Sequence, residues 1–260
     1  MIIVVSPAKA LDFESPLATE KNSGPNHLKK SSELVEVLSN KSPDDLRSLM
    51  SISESLADLN FERYKDWSLP FTTENARPAV LSFSGDTYIG LDAAASFSES
   101  DYEFAQKTLR ILSGLYGVLR PLDLIQPYRL EMGTKLETEH GSNLYDYWGD
   151  TITDSLNKDL DQSPGENVLI NLASNEYFKS VRVDQLQCEI ITPSFLDRKE
   201  GGDYKTVSFY AKRARGSMAS WIIKNRIPSP EDFSDFSENG YSFCEERSSV
   251  ISPVFTRTND

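Results

Sequence analysis

Four polar side chains that could carry chemistry lie at or just after the ends of two apolar runs, Ile2–Val5 and Val168–Leu172. They are Lys9, Asn171, Ser174 and Glu176. If the two runs are neighbouring strands of an open α/β sheet, these side chains converge where such sheets bind ligands. Lys9 would then hold an anion and Glu176 would act as a general acid or base. Asn171 and Ser174 would orient the substrate, or else Lys9 and Glu176 form a structural ion pair.

A basic segment lies further along the chain. Residues 204–230 contain no Asp or Glu and carry six cations. Three of these, Lys212, Arg213 and Arg215, fall where a strand predicted at Thr206–Tyr210 gives way to a helix. The positive end of a helix dipole disfavours cations there by about 0.3–1 kcal/mol each, so an anionic partner would explain them. A solvated basic face, or ion pairs with the acidic remainder of the chain, would explain them equally well.

Two glycines three residues apart, Gly114 and Gly117, form a candidate phosphate-binding turn. They follow a helix predicted over Phe104–Leu112. Glycine lets backbone amides approach a phosphate closely because no Cβ is in the way. Arg110 and Arg120 flank the turn and could neutralise the phosphate charge. The alternative is a helix C-cap followed by a tight turn.

The remaining residue types give weak signals for chemistry. A cluster with balanced charges indicates pairing within the protein; it consists of Arg120, Asp123, Arg129 and Glu131. Two histidines and two cysteines, with no acidic loop at calcium-binding spacing, lead us to predict no metal site and make direct iron sequestration a weak hypothesis. The sequence contains no P-loop, dinucleotide-binding fingerprint or Gly-x-Ser-x-Gly elbow, so no cofactor is predicted.

Charge limits the nucleic-acid interpretation. The 260 residues include 27 basic and 40 acidic side chains, for a formal net charge of −13. An acidic surface repels phosphate, which argues against nonspecific binding of nucleic acid over the whole surface. A single basic segment can still hold an anion, because salt confines electrostatic fields to about 8–10 Å.

Strand and helix patterns mix along the whole chain, so we predict an α/β protein with a mixed sheet surrounded by helices. Ile2–Val5 and Val168–Leu172 are typical of strands buried on both faces. An apolar stripe predicts a helix over residues 143–160. Residues 26–66 carry helical signals and form a possible helical insertion. No linker or repeat divides the sequence, so a single compact domain is predicted over residues 1–260.

The chain is predicted to be cytoplasmic and to have no membrane partner. Its two cysteines cannot form the disulfide framework of a small secreted protein. Its apolar runs are too short to cross a bilayer. The apolar start has no basic leader, so it does not resemble a signal peptide.

Several segments together resemble one known family. They are Ser6–Lys9, Leu112–Asp123, Pro127–Met132, Asn171–Ser174, Glu176–Phe178 and Phe209–Lys212. In this order they resemble the YaaA family of bacterial peroxide-stress proteins, and the resemblance runs from residue 1 to near the C-terminus. It implies a cytoplasmic protein, induced under hydrogen peroxide stress, that limits damage by keeping unincorporated iron low.

The resemblance also implies DNA binding by a globular α/β fold with a basic cleft and a helix-hairpin-helix element. The hairpin is carried over onto two glycines and the cleft onto four cations, namely Gly114, Gly117, Lys9, Lys212, Arg213 and Arg215. The resemblance supplies no catalytic residue.

Two functions therefore stay open. In the first, double-stranded or structured DNA is held through its backbone by Lys9, Gly114, Gly117, Arg120, Lys212, Arg213 and Arg215. Such contacts position DNA without reading bases, so binding would select structure rather than sequence. In the second, the protein is an enzyme that acts on a nucleotide or another phosphorylated small molecule, with Lys9 and Glu176 at its site. A deep pocket lined by the four polar side chains of the strand ends would favour the enzyme.

Overall fold

The computed structural model describes residues 1–199 and 201–259. The strands are β1 (Ile2–Val5), β2 (Ala10–Leu11), β3 (Arg77–Pro78), β4 (Phe83–Ser84), β5 (Leu109–Ser113), β6 (Gly117–Leu119), β7 (Leu124–Ile125), β8 (Val168–Leu172), β9 (Glu189–Ile191), β10 (Ser194–Lys199), β11 (Ser242–Phe243) and β12 (Val254–Asn259). The helices are α1 (Leu28–Ser39), α2 (Pro43–Met50), α3 (Glu54–Asp66), α4 (Ala79–Ser82), α5 (Asp86–Leu91), α6 (Ala93–Ser96), α7 (Glu99–Thr108), α8 (Leu144–Trp148), α9 (Thr151–Gln162), α10 (Asn175–Phe178) and α11 (Ser208–Asn225). Short 3-10 turns lie at Val183–Gln185, Pro230–Asp235, Glu238–Gly240 and Glu245–Arg247.

The main sheet has the strand order β6-β5-β1-β8-β9. β1 runs parallel to β5 and β8, and β8 runs parallel to β9, whereas β6 is antiparallel to β5. Every residue of β1 and β8 is buried, as their apolar sequences predict. Helices α7, α9 and α11 contact β1. The predicted α/β fold with a mixed sheet and surrounding helices is therefore confirmed.

The strand order reverses at β1. The chain places β5 on one side of β1, whereas β8 lies on the other side and is followed outward by β9. The segments that leave β1 and β8 therefore diverge, which opens a crevice at the carboxyl ends of these two strands. Val5 is paired with Leu172 at the end of the ladder, so the two diverging segments begin side by side. The expectation that these strands are neighbours is confirmed.

Helix α11 crosses α5 at very short range beside this crevice. A Cβ on Gly216 would stand 1.8 Å from the carbonyl oxygen of Thr87, and one on Gly90 would stand 2.0 Å from that of Arg213. Only glycine allows the two backbones to approach this closely. The crossing therefore fixes the start of α5 against the first half of α11.

Residues 26–66 contain α1, α2 and α3. Ser42 caps α2 by accepting a hydrogen bond from the Asp45 backbone amide, and the Asp45 carboxylate accepts one from the Ser42 amide. Ser53 likewise caps α3, because its hydroxyl accepts a hydrogen bond from the Leu56 backbone amide. These caps satisfy amides that the first turn of a helix leaves without backbone partners. Whether the three helices are an insertion stays a prediction.

A smaller sheet, with the order β10-β12-β11, lies near the C-terminus. Phe195 stacks on Phe255, and Phe236 and Tyr241 pack edge-on around the pair. These rings belong to the same hydrophobic cluster of described residues as the side chains of β1. The small sheet is therefore packed on the same core as the main sheet.

Three secondary-structure predictions were wrong. The helix predicted over Phe104–Leu112 stops at Thr108, where the chain enters β5 and pairs with β1. The helix predicted over 143–160 is split into α8 and α9 at Gly149, whose φ is +50°. In place of the strand predicted at Thr206–Tyr210, α11 begins at Ser208 after Val207 as its N-cap.

The glycine turn is a β-hairpin, so the helix-hairpin-helix prediction is wrong at these residues. Gly114 and Gly117 lie between β5 and β6, and the two residues between them are fully buried. Gly117 has a φ of +72°, and a Cβ there would stand 2.7 Å from the Trp148 ring. The Trp148 indole N–H donates a hydrogen bond of 2.9 Å to the carbonyl oxygen of Gly114. The glycines permit close packing in the core, and their position keeps them away from a phosphate in solvent.

Candidate functional site

A cleft of about 470 Å³ opens at the crevice between β1 and β8. Its lining comes from the segments after these strands, the start of α5 and the first half of α11, and includes Ser6–Ala10, Ser84–Thr87, Glu131, Leu172, Ser174, Glu176, Tyr177, Lys212 and Arg215. Ligand pockets typically enclose about 300–1,000 Å³. The cleft therefore has the size for a nucleotide or a sugar phosphate, at the place where open α/β sheets bind ligands.

Helix α11 contributes two cations to the cleft, Lys212 and Arg215, which lie three residues apart and so on one side of the helix. Lys212 is exposed and Arg215 is partly buried. Burial lowers the pKa of Arg215, and no carboxylate opposes this effect. Within residues 1–199 and 201–259 neither side chain has an ion-pair partner. A partly buried cation without a partner is costly, and an anionic ligand would supply the missing charge.

The third cation of the cleft, Lys9, is paired. Its ammonium lies 2.8 Å from Glu131 Oε2, and the guanidinium of Arg129 lies 3.2 Å from Glu131 Oε1. Glu176 instead accepts a hydrogen bond of 3.0 Å from the backbone amide of Gly133. Lys9 and Glu176 both line the cleft, as predicted, but Lys9 forms its ion pair with Glu131.

Two serine hydroxyls join the segments that leave β1 and β8. The Ser174 amide donates a hydrogen bond of 2.9 Å to Ser6 Oγ, which donates one of 3.3 Å to Ser174 Oγ. Asn171, predicted to orient a substrate, is buried, and its Oδ1 accepts a hydrogen bond from the Ala173 amide. It is not among the residues that line the cleft. Asn171 therefore supports the turn that presents Ser174.

Two carboxylates of the cleft were missed by the sequence analysis. Asp86 is the first residue of α5 and lines the cleft. Its position beside α11 depends on the crossing of two helices, which no local sequence pattern predicts. Glu131 does pair with Arg129, as its cluster predicts, but it also lines the cleft. The resemblance at Pro127–Met132 was the one signal that could have identified it. Burial, with the nearby Glu176 and Glu131, raises the pKa of the Tyr177 phenol in the same wall.

The lining holds three cations and three carboxylates, so the cleft is not uniformly basic. Lys9 is offset by Glu131, while Lys212 and Arg215 stand on α11. The other two carboxylates lie on α5 and on the segment after β8. This arrangement suits a ligand that presents an anion to α11 and hydrogen-bond donors to the carboxylates.

The residues predicted to bind DNA line more than one cavity. Lys9, Lys212 and Arg215 line the cleft, whereas Arg213 lines a different cavity beside α11. Arg120 is paired with Asp123 at 2.8 Å, which confirms the internal pairing predicted for that cluster. Its guanidinium also donates a hydrogen bond to a backbone carbonyl. Together with the buried glycines of the hairpin, this leaves the cleft as the place where most of the predicted cations meet.

The part of the chain that the structure describes contains no group of three or more His, Cys, Asp or Glu side chains placed to hold a metal ion. None of its helices combines the length and the apolar character needed to cross a membrane.

Comparison with known proteins identifies the family. Residues 1–247 match the family model described as "Peroxide stress protein YaaA". A UPF0246 protein of Colwellia psychrerythraea is 56% identical over 257 residues, covering 99% of each chain. UPF0246 proteins of Hahella chejuensis and Aliivibrio fischeri (strain MJ11) are 54% and 53% identical over the same length, with 99% of this chain and 99% and 98% of theirs covered. The chain therefore belongs to the YaaA family of peroxide stress proteins.

Proposed function

We propose that the cleft binds the phosphate of a nucleotide or another phosphorylated small molecule, and that the protein acts on this ligand as an enzyme during peroxide stress. One observation carries the proposal. Arg215 is partly buried beside Lys212 in a cleft of ligand size, and neither cation has a partner among the described residues. Partly buried cations without carboxylate partners are typical of sites that bind anions.

The other groups of the cleft have roles that follow from their geometry. Lys212 and Arg215 hold the phosphate. Glu176 has one carboxylate oxygen fixed by the Gly133 amide, which leaves the other oxygen to accept or deliver a proton. The hydroxyls of Ser6 and Ser174 offer hydrogen bonds to the ligand at the strand ends. Lys9 is mostly exposed and paired with Glu131, so these two side chains contribute an ion pair to the lining.

Calorimetric titration with inorganic phosphate and with ribose 5-phosphate tests this proposal. A charge-assisted hydrogen bond contributes about 1.5–3 kcal/mol, so Arg215→Ala should weaken binding by at least about tenfold. Arg47→Ala is the matched control, because Arg47 is exposed on α2 and lies outside the cleft. Equal affinities of the wild-type protein and Arg215→Ala, or the absence of binding to the wild-type protein, would exclude the cleft as a phosphate site.

The alternative is a protein that binds the backbone of DNA. It is favoured by the absence of acidic residues over 204–230 and by the exposure of Lys212 and Arg213 on α11. Such cations would hold phosphates without reading bases. In this hypothesis the covered DNA is shielded from iron-dependent oxidation, and the protein keeps unincorporated iron low by a route that the described residues do not specify.

An electrophoretic mobility shift series at increasing salt separates the two functions. DNA binding through these cations should weaken by nearly one unit of log–log slope for each phosphate neutralised. The combined variant Lys212→Ala, Arg213→Ala and Arg215→Ala should then lose about three units of that slope. An unchanged slope would remove α11 from the DNA interface, whatever the titration with phosphate gives.

A further inference from the structure

A second cavity, of about 710 Å³, lies beside α11 and shares no lining residue with the cleft. It is bounded by the end of α5, by α6, by α11 from Arg213 to Asn225 and by the 3-10 turn at Glu238–Gly240. Helix α11 forms a wall of both spaces. Lys212 and Arg215 line the cleft, whereas Arg213 and Lys224 line the second cavity. Arg213 is next to Lys212 in the sequence, but the helical period directs it to a different cavity.

The helix presents one polar stripe to this cavity. Arg213, Ser217, Ser220 and Lys224 follow one another at intervals of four, three and four residues, which is one face of a helix. Arg213 and Lys224 are exposed, and neither has an ion-pair partner in residues 1–199 or 201–259. The stripe therefore offers two cations without ion-pair partners among the described residues, with hydroxyl groups between them, while the carboxylates of Asp92 and Glu238 line the rest of the cavity.

Other polar groups at the cavity are held in place or lack a partner. The Ser217 hydroxyl donates a hydrogen bond of 3.2 Å to the Gly90 carbonyl and accepts one of 2.7 Å from the Asn239 amide. The Ser96 hydroxyl lines the cavity, is buried, and has no hydrogen-bond partner among the described residues. A buried hydroxyl without a partner costs free energy that a ligand with a complementary group would recover.

One aromatic ring lines the same cavity. Trp221 is half-buried, and edge-to-face contacts with Phe233 and Phe236, at centroid distances of 6.4 and 5.7 Å, hold its ring. Eight residues separate Trp221 from Arg213, which corresponds to about 12 Å along the helix axis. Indole rings stack on planar heterocycles, and guanidinium groups bind phosphates through paired hydrogen bonds.

We propose that this cavity binds a nucleoside polyphosphate, with the base against Trp221 and the terminal phosphates at Arg213. The axial rise of about 12 Å between these two helix positions allows one extended ligand to reach both an aromatic base site and a phosphate site. Ser220 lies between them and contacts the sugar or the first phosphate, whereas the Ser217 hydroxyl is held by Gly90 and Asn239 and supports this wall. The proposal does not depend on the proposed function of the cleft, since no lining residue is shared.

Titration with fluorescent N-methylanthraniloyl-ADP tests this site. The wild-type protein should raise the anisotropy of the probe, and Arg213→Ala should weaken its binding at least about tenfold. Arg47→Ala on α2, outside both spaces, should leave this affinity unchanged, and Arg215→Ala should remove only the binding that the cleft itself adds. Arg213 is exposed on a helix and alanine is a good helix former, so the variant should keep its fold; circular dichroism checks this.

The outcomes separate the two sites. If Arg215→Ala, and not Arg213→Ala, removes binding of the probe, the nucleotide occupies the cleft, and the second site is excluded while the proposed function stands. If neither variant changes the affinity, the second site is excluded as well. Tripolyphosphate that competes as strongly as unlabelled ADP would show that Trp221 contributes nothing and would overturn the nucleoside assignment.

Discussion

In the hairpin between β5 and β6 the polar groups have partners inside the protein, whereas two cations of the cleft have no ion-pair partner among the residues that the structure describes. The Tyr116 amide donates to Ser113 Oγ, and the Tyr116 phenol donates to the Gln126 carbonyl. The Trp148 indole closes the turn through the Gly114 carbonyl. Lys212 and Arg215 of the cleft make no such bonds with the described residues. The polar groups of the hairpin are satisfied without a ligand, whereas the two cations of the cleft need an anion from outside the protein.

This difference separates two uses of a residue pattern that suggests phosphate binding. A pair of closely spaced glycines indicates only that some group lies close to the backbone. That group can be a side chain of the same protein rather than a phosphate. A partly buried cation without a partner is costly, so it indicates a group that is supplied from outside. Changes in the hairpin should therefore act on stability, and changes in the cleft should act on anion binding.

The largest effect is expected for Gly117→Ala in the hairpin. The new Cβ would stand 2.7 Å from the Trp148 ring, at a φ of +72° that alanine rarely adopts. We expect the free energy of unfolding to fall by about 3 kcal/mol or more, measured by urea denaturation. Gly24→Ala is the control, because a Cβ there meets nothing within 4 Å. A stable Gly117→Ala protein that loses only DNA affinity would restore the hairpin as a DNA contact.

A smaller loss of stability is expected for Arg120→Ala. Arg120 donates to the buried carboxylate of Asp123 and to the Gly24 carbonyl, so its removal leaves a buried charge with fewer partners. Asp123 keeps a hydrogen bond of 2.7 Å from Ser23, which limits the cost to about 2 kcal/mol. Thermal denaturation measures this loss of stability, with Arg47→Ala as the control. Loss of DNA or phosphate affinity at unchanged stability would place Arg120 in a binding surface instead.

The cleft should respond to Arg215→Met with the opposite sign. Methionine fills a similar volume without a charge, so the free energy of unfolding should rise by about 1 kcal/mol while phosphate affinity falls. Lys212→Met is the matched control, because Lys212 is exposed and its burial costs little. A loss of stability in Arg215→Met would mean that the guanidinium has a structural role in the free protein, and the contrast between cleft and hairpin would then fail.

Local patterns predicted the sheet better than they predicted the site. The apolar runs at β1 and β8 identified the two strands and, through the crevice rule, the place of the cleft. The residues that complete the cleft come from α5 and α11, whose close crossing depends on Gly90 and Gly216. No periodicity shows that two distant glycines face each other, so Asp86 could not be assigned. Arg213 was grouped with Lys212 and Arg215, but it lines a different cavity because consecutive positions of a helix face different directions.

The smallest effect is expected for Glu131→Gln, which tests how the charges of the cleft balance. Glu131 is 24% exposed and pairs with the exposed Lys9 and the mostly buried Arg129, but glutamine keeps a carbonyl oxygen that can accept from Arg129, so the free energy of unfolding should fall by no more than about 1 kcal/mol. Removal of a negative charge from the lining favours a bound anion by about 0.5–1 kcal/mol in a water-like dielectric. Phosphate should therefore bind a few-fold more tightly, as measured by calorimetry beside Glu36→Gln on the exposed side of α1. Weaker binding would mean that Glu131 holds Lys9 in contact with the phosphate, and Lys9 would then join Lys212 and Arg215 as a ligand to the anion.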